Sequence, residues 1–286
     1  MTRVVAIGGG HGTSVTLRAA REYASDITAI VSVADDGGSS GRLRAALGIP
    51  APGDLRRCLV ALADDDNPLA SAFEHRFADD AGGLSGHALG NLVIAGLAEA
   101  MGSFPKALAE TARLLGAHGT VLPATLEAVE LKGVSHVGEI IGQVAVEHAG
   151  RIVSVSLVPP DPPAPPQAID AIAAADQIVL GPGSLFTSVL AVVAVPAIRD
   201  AINRTHATVV HVCNLRTTTG TTGFDVADHT NALLDHGVRV DVVLHDPQTM
   251  RVGDLPVPGK AAALTAVETG MHDPRRLARA LADLVG

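Results

Sequence analysis

Residues 3–14 read R-V-V-A-I-G-G-G-H-G-T-S, and residues 27–42 read I-T-A-I-V-S-V-A-D-D-G-G-S-S-G-R. The apolar runs at 4–7 and 27–33 predict two short buried strands, and each of them ends in a glycine-rich polar loop. Buried parallel strands with such loops at their ends are typical of nucleotide-binding α/β folds. The sequence therefore predicts a Rossmann-like three-layer α/β fold with a mostly parallel, doubly wound sheet.

The first loop predicts a turn from strand to helix, with the helix over 14–23. The free N–H groups and the dipole at such a helix N-terminus suit a phosphate. A G-x-G-x-x-G fingerprint that starts at Gly8 fails at Thr13, and no G-x-x-x-x-G-K-[ST] motif occurs. A tight structural turn is therefore the alternative to a phosphate site here.

The second loop carries more chemistry, because Asp35 and Asp36 run directly into glycines, Ser39, Ser40 and Arg42. The aspartates suit a ribose or a divalent cation, and the hydroxyls and the guanidinium suit phosphate or sugar oxygens. The alternative is an Asx turn followed by a helix cap at Ser39 or Ser40.

A helical insertion is predicted over about 52–118, after the second strand. Its helices start at 52–54, at Pro68 and at 89, and Asp54 is expected to cap a helix over 55–63. His87 and Asn91 flank the start of the third helix. They are interpreted either as ligand contacts in the cleft or as a packed helix entry.

The second half of the chain resumes the α/β pattern. The runs 125–131, 139–146 and 152–157 predict strands, and the proline-rich stretch 159–166 predicts a stiff connection inside one domain or, alternatively, a linker. A strand at 177–180 leads into a third glycine loop, in which Gly183 and Ser184 suit an anion. Further strands are predicted at 208–212 and 240–244, with Asp228 capping one helix and the last helix over 274–285.

Composition limits the function classes. The chain has 286 residues, of which 47% are hydrophobic and 18% charged, which argues against global disorder. Its formal net charge of −9 argues against general nucleic-acid binding. Cys58 and Cys213 lie far apart, so a disulfide framework and a cysteine zinc site are poorly supported. Neither a signal sequence nor a membrane span is predicted, and we expect a cytoplasmic protein.

Several motifs occur in order across nearly the whole chain: G-G-G-H-G-T, A-D-D-G-G-S-S-G-R-L-R, P-G-D-L-R-R-C-L, G-H-A-L-G-N-L, L-P-A-T, G-P-G-S-L-F-T-S-V-L and C-N-L-x-T. Together they resemble the gluconeogenesis factor family (YvcK-like proteins), a sibling of the CofD-like 2-phospho-L-lactate transferases. The resemblance implies one Rossmann-like domain over 1–286 that binds a UDP-type nucleotide sugar. It also implies a cytoplasmic role in carbon partitioning and cell shape during gluconeogenic growth.

By position, the resemblance carries the ligand-binding role over to a set of residues at the ends of the predicted strands and at one helix start. They are Gly9, Gly10, Gly12, Thr13, Asp35, Asp36, Ser39, Ser40, Arg42, His87, Asn91, Gly183, Ser184 and Asn214.

The chain departs from the family pattern in three places. His11 stands where the family usually has Thr, and Ala191-Val192 stands where a Pro-Asn pair is usual. In the loop after Asn214 the family pattern is matched at Thr217, Gly220 and Thr222 alone. The acidic signature of the transferase branch is not apparent, which disfavours an enzyme.

Three functional hypotheses follow. The leading one is a regulatory protein that binds UDP-GlcNAc or UDP-glucose, requires no cofactor and has no established turnover. The alternative is a transferase that moves a phospholactyl-type group from a nucleotide diphosphate carrier to a deazaflavin, with Mg²⁺ held by Asp35 and Asp36. The weakest is an NAD-dependent oxidoreductase. Homo-oligomer formation and a protein partner stay open.

Overall fold

The computed structural model describes residues 1–285, which form ten strands and twelve α-helices. The strands are β1 Arg3–Gly8, β2 Asp26–Val31, β3 Thr120–Pro123, β4 Glu130–Ser135, β5 Gly138–Ile141, β6 Ile152–Val158, β7 Gln177–Leu180, β8 Thr208–Val212, β9 Val242–His245 and β10 Gly259–Ala261. The helices are α1 Gly10–Ala20, α2 Gly38–Leu47, α3 Pro52–Leu62, α4 Pro68–Glu74, α5 Leu89–Met101, α6 Phe104–Leu115, α7 Gln143–His148, α8 Pro166–Ala174, α9 Leu190–Val193, α10 Pro196–Arg204, α11 Val226–Asp235 and α12 Pro274–Ala282.

Seven strands form one parallel sheet in the order β10-β9-β8-β7-β1-β2-β3. The strands at its centre are apolar on both faces, as all-parallel sheets require: Val4 to Ile7 of β1 are at most 2% exposed. Helices cover both faces, which gives the three-layer α/β arrangement that the sequence predicts. On one side of the β1–β7 pair the sheet continues with β2 and β3, and on the other side it continues with β8, β9 and β10. The strand order therefore reverses at this pair.

The other three strands form a separate antiparallel sheet in the order β5-β4-β6. Together with α7 it stands beside the carboxyl edge of the main sheet. The runs predicted as strands at 125–131 and 139–146 are wrong in part. The strand β4 begins only at Glu130, and residues 143–148 are a helix, because their first N–H groups are capped by a side chain from the loop after β2.

Helix starts account for most of the remaining differences. The helices between β2 and β3 begin at Gly38, before residue 52, and Gly37 rather than Ser39 or Ser40 takes the N-cap position. Likewise α3 begins at Pro52, since proline favours the first helical turn, so Asp54 lies inside the helix and is not its cap.

Two further helix starts were also predicted too late. The first helix begins at Gly10, four residues before the predicted start. In α11 the cap is Asp225 and not Asp228. The Asp228 carboxylate instead accepts a hydrogen bond from the Asp225 N–H at 3.0 Å, which completes a capping box.

Within residues 1–285 no single helix is long and apolar enough to cross a membrane. One pair of helices, Leu185–Val193 and Pro196–Arg204, reaches that length and apolar composition only when the two are taken together, and they are bent by 78° relative to each other.

Candidate functional site

A two-chamber cleft lies at the carboxyl edge of the parallel sheet, above the β1–β7 pair where the strand order reverses. Open α/β sheets bind ligands at this position, because the loops on either side of the reversal diverge and leave a crevice. The first chamber has a volume of about 460 Å³ and the second about 570 Å³. Their common boundary is formed by six residues: His11, Gly12, Arg57, Glu147, Gly183 and Ser184.

The loops after β1 and β7 touch each other at the floor of the cleft. A Cβ atom on Gly12 would overlap the carbonyl group of Pro182, so this approach requires glycine. Asn214, which follows β8, then clamps the β7 loop. Its Oδ1 accepts from the Gly183 N–H at 2.7 Å, and its Nδ2 donates to the Gly183 carbonyl at 2.6 Å. The floor is therefore fixed by backbone packing and by one bidentate amide.

The N-terminus of α1, where a dinucleotide fold would hold its phosphates, faces a carboxylate. Asp54, in the first turn of α3, places its carboxylate against Gly9 and Gly10, where the Gly10 N–H favours its charged form, and it pairs with Arg57 Nη1 at 2.9 Å. Burial raises the pKa of Asp54 to about 6; Arg57 opposes this shift and the nearby Asp35 adds to it. The site that the glycine turn offers to an anion is thus already occupied by a side chain.

The two aspartates of the second loop point to different places. The Asp35 Oδ1 atom accepts from the Gly37 N–H at 2.9 Å, the Asx turn that was one interpretation of this loop, and its side chain lines the first chamber. The Asp36 carboxylate accepts from the N–H groups of Gln143 and Val144, each at 3.0 Å. Asp36 therefore caps α7 and does not line the cleft.

The predicted magnesium pair of Asp35 and Asp36 is consequently not formed as a pair in the cleft. The acid that accompanies Asp35 there is Asp54, whose pKa is raised in part by the charge of Asp35. Across residues 1–285 no group of three or more His, Cys, Asp or Glu side chains has the arrangement of a metal site.

Ser39, His87 and Asn91 form a buried network behind the first chamber. The Ser39 hydroxyl accepts from Asn91 Nδ2 at 3.0 Å and from the Ala88 N–H at 3.4 Å, and it lies 3.0 Å from His87 Nδ1. With two donors already pointing at it, the hydroxyl donates its own proton to His87, whose ring is therefore neutral. Burial lowers the pKa of His87, and Arg42 and Arg76 lower it further.

Three polar atoms on residues that line the first chamber have no hydrogen-bond partner within the described residues. They are Asn91 Oδ1, Thr187 Oγ1 and Arg56 Nε, on residues that are 2%, 4% and 2% exposed. Buried polar groups are almost always paired, because an unpaired one forfeits its hydration. The first two, Asn91 and Thr187, line the same chamber, so a single bound molecule could satisfy both of their atoms.

Three arginines form the wall that the helical insertion contributes. Arg56 and Arg57 come from α3, and Arg76 follows α4. Arg42, in contrast, does not reach the cleft, since its Nη2 donates to the Ser85 carbonyl at 2.6 Å and braces the loop before α5. Arg42 therefore lies outside the chamber in which most of the other predicted site residues meet.

The structure brings nine of the predicted site residues into the first chamber: Gly9, Gly10, Gly12, Asp35, Ser39, Ser40, Asn91, Gly183 and Ser184. Asn214 lines the second chamber. Thr13 is fully buried and its hydroxyl donates to the Gly9 carbonyl at 3.2 Å, so it shapes the turn. The other three predicted residues line neither chamber: His87 contacts Ser39, Asp36 caps α7, and Arg42 donates to the Ser85 carbonyl.

Several cleft residues were missed as site residues. Asp54, Arg56 and Arg57 all belong to the P-G-D-L-R-R run that carries the family resemblance, so a signal for them was present. Thr187 and Ser188 belong to the G-P-G-S-L-F-T-S-V-L motif, so a signal for them was present as well. Arg76, Gln143 and Glu147 reach the chamber through tertiary packing and carry no local signal.

Comparisons with known proteins agree over most of the chain. The family model for 2-phospho-L-lactate transferase CofD matches residues 4–265. A gluconeogenesis factor from Halalkalibacterium halodurans is 45% identical over 248 residues, which cover 85% of this chain and 77% of that protein. A putative gluconeogenesis factor from Nostoc sp. is 46% identical over 235 residues, or 81% of this chain and about half, 51%, of that protein. A crystal structure of a UPF0052 family member from Bacillus halodurans superposes with a TM-score of 0.91 at 38% identity, covering 98% of both chains.

Proposed function

The chain belongs to the gluconeogenesis factor (YvcK-like) branch of the CofD family, and on this basis we propose that its cleft binds a nucleotide sugar of the UDP-GlcNAc or UDP-glucose type. The proposed role is regulatory: a cytoplasmic protein that adjusts carbon partitioning and cell shape during gluconeogenic growth according to the level of this ligand.

The observation that carries the proposal is the pair of unpartnered polar atoms in the first chamber. Asn91 Oδ1 is an acceptor only, so it calls for an N–H or O–H donor on the ligand. Thr187 Oγ1 can donate or accept. Sugar hydroxyls and the imide N–H of uracil supply such groups, and a purely apolar ligand would leave both atoms unsatisfied.

An NAD-type mode of binding is disfavoured by the geometry of the glycine turn. Dinucleotide folds place the pyrophosphate on the free N–H groups of the first helix. Here the Asp54 carboxylate lies against Gly9 and Gly10, and the charge of Asp35 is near enough to Asp54 to raise its pKa. A pyrophosphate placed there would meet like charge.

Catalysis by a serine nucleophile also finds little support. Ser39 is the cleft hydroxyl that touches a histidine, and that hydroxyl already makes three hydrogen bonds with His87, Asn91 and Ala88. A binding role therefore accounts for this network more simply than a reaction does.

Calorimetric titration of the purified protein tests the proposal. We expect saturable binding of UDP-GlcNAc or UDP-glucose with one site per chain, and weaker binding of NADH. Tight binding of NADH with no saturable binding of either UDP-sugar would overturn it.

The transferase alternative is supported by one specific observation, the juxtaposition of Asp35 and Asp54 in the cleft. Two carboxylates that line one chamber fit Mg²⁺, which commonly takes one or two carboxylates and completes its shell with water and substrate phosphates. A bound Mg²⁺ would supply charge neutralisation for a diphosphate. Arg57, paired to Asp54, would orient that carboxylate.

A matched pair of variants tests the transferase. The assay adds a deazaflavin to a conjugate in which a phospholactyl group is linked to a nucleotide through a diphosphate, and it measures the free nucleotide released in the presence of Mg²⁺. This release should disappear in Asp54→Asn. It should persist in Asp36→Asn, because Asp36 does not line the cleft. Absence of release from the wild-type protein, or equal release by wild type and Asp54→Asn, counts against this function.

A further inference from the structure

We propose that the phosphate groups of the ligand bind at Arg56 and Arg76, on the wall formed by the helical insertion, and not at the N-terminus of α1. The nucleotide class of the ligand rests on the proposed function above. The location of its anionic part rests on the side chains described below.

The first argument is that the usual phosphate position is taken. The Asp54 carboxylate lies against Gly9 and Gly10, and its partner Arg57 is held in an ion pair at 2.9 Å. The positive end of α1 is therefore compensated within the protein. An anion that bound there would have to displace the Asp54 carboxylate from this turn.

The second argument is the state of Arg56, which is 2% exposed. Its Nη1 atom donates to the Phe73 carbonyl and to Glu74 Oε2, both at 2.9 Å. Its Nε atom is buried and has no partner in the described part of the chain, although Arg56 lines the first chamber. An arginine with an unused, desolvated donor beside an open chamber is prepared for an acceptor from outside.

The position of Arg56 is fixed by packing as well as by hydrogen bonds. A Cβ atom on Gly90 would lie 2.7 Å from Arg56 Cδ and would also contact the Phe73 ring. The close approach of α5 thus leaves the Arg56 side chain little room to move away from the chamber. A donor that is held in place loses less entropy when it binds a ligand.

The third argument is the unneutralised charge of Arg76. One of its nitrogens donates to the Gly86 carbonyl, but among residues 1–285 no carboxylate lies within ion-pair distance of it. Arg76 lines the same chamber as Arg56, and its positive charge is close enough to lower the pKa of Arg56. Two guanidinium groups on one wall match the several oxygens of a diphosphate.

The chamber is therefore polarised. Its floor at the glycine turn carries Asp35 and Asp54, and its insertion wall carries Arg56 and Arg76. A UDP-sugar would place its diphosphate toward the arginines and its hydroxyl or imide donors toward Asn91 and Thr187.

Arg76→Gln is the decisive variant, with Arg113→Gln as its control. Arg113 is an exposed arginine of α6, paired with Glu110, and its replacement makes the same change in net charge far from the cleft. Affinities for UDP-GlcNAc and for uridine are measured by calorimetry on each protein. We expect Arg76→Gln to weaken UDP-GlcNAc about tenfold, the value of one charge-assisted hydrogen bond. We expect uridine to bind each protein with an affinity within about twofold of that of the wild type.

Arg76→Lys keeps the charge and should recover most of the affinity for UDP-GlcNAc, which separates a phosphate contact from a loss of folding. The proposal is overturned if Arg76→Gln binds UDP-GlcNAc as the wild type does, or if it loses uridine and UDP-GlcNAc equally. If the wild type binds no UDP-sugar, the proposed function fails. Pyrophosphate then tests the phosphate subsite separately. If the wild type binds pyrophosphate and Arg76→Gln does not, the subsite proposal stands; if the wild type does not bind pyrophosphate, the subsite proposal fails.

Discussion

The carboxylate of Asp54 lies against Gly9 and Gly10, the turn at which α1 begins. Helix N-termini in nucleotide-binding folds usually offer the N–H groups of such a turn to a phosphate. In this chain the fold keeps the glycine turn of a dinucleotide site but fills it from α3. The same side chain makes the floor of the cleft acidic, which disfavours a phosphate at this position and so limits how a nucleotide can be oriented in the cleft.

The ionisation of Asp54 should make the stability of the protein depend on pH. Its pKa is raised to about 6 in the folded state, from an ordinary value of 3.8. Between these two values the folded protein holds a proton that the unfolded chain has released. The free energy of unfolding therefore falls as pH rises through this window, by about 3 kcal/mol for a shift of this size.

Asp54→Asn removes that titration and provides the check. Chemical denaturation should show the variant to be more stable than wild type at pH 8, by up to about 3 kcal/mol, and equal to it near pH 4. A variant that is less stable than wild type at both pH values would mean that the ion pair with Arg57 outweighs the cost of burying the charge.

The contact between the loops after β1 and β7 should not tolerate a side chain at Gly12. Gly12→Ala would drive a methyl group into the Pro182 carbonyl, and we expect a loss of at least about 3 kcal/mol in the free energy of unfolding, or insoluble protein. Gly96→Ala is the control. It lies on α5 with open space around the added methyl, and should stabilise the helix by up to about 1 kcal/mol. Equal stability of the two variants would contradict the packing described here.

Asp36 links the cleft loop to the antiparallel sheet through the first N–H groups of α7. Asp36→Ala should cost about 1 kcal/mol or somewhat more, as the loss of a helix cap does. Amide hydrogen exchange should then accelerate in residues 143–148 while β1 stays protected. Asp80→Ala, in an exposed loop, serves as the control and should change neither quantity. Unaltered exchange in α7 would show that another contact holds the helix.

The parallel sheet was predictable because its central strands are short and mainly apolar, and β1 and β7 lead directly into glycine-rich loops. The strands Gln177–Leu180 and Thr208–Val212 have the bounds that the sequence predicts. In these segments local pattern and final environment agree, since both faces of the sheet are buried.

Helix α7 was not predictable from the sequence around it. Residues 143–146 follow a run with strand-like composition, and the cap that makes them helical comes from Asp36, more than a hundred positions earlier. Asp54 was missed as a site residue although its motif was quoted for the resemblance. Its place after a proline and a glycine indicates a helix cap, whereas in the folded chain its carboxylate lies against Gly9 and Gly10.

The measurement that tests the account most directly is a paired titration of wild type and Thr187→Val with UDP-GlcNAc, together with thermal unfolding of both proteins without ligand. Valine has the shape of threonine without the unpartnered hydroxyl. We expect Thr187→Val to unfold at a higher temperature, because a buried unsatisfied group has been removed, and to bind the ligand several-fold more weakly, by about 1 kcal/mol. Thr111→Val, which loses a hydroxyl bonded to the Ala107 carbonyl on α6, should bind as wild type does. Saturable binding of equal strength in wild type and Thr187→Val would contradict the claim that these polar atoms await a nucleotide sugar, and so would no binding by the wild type.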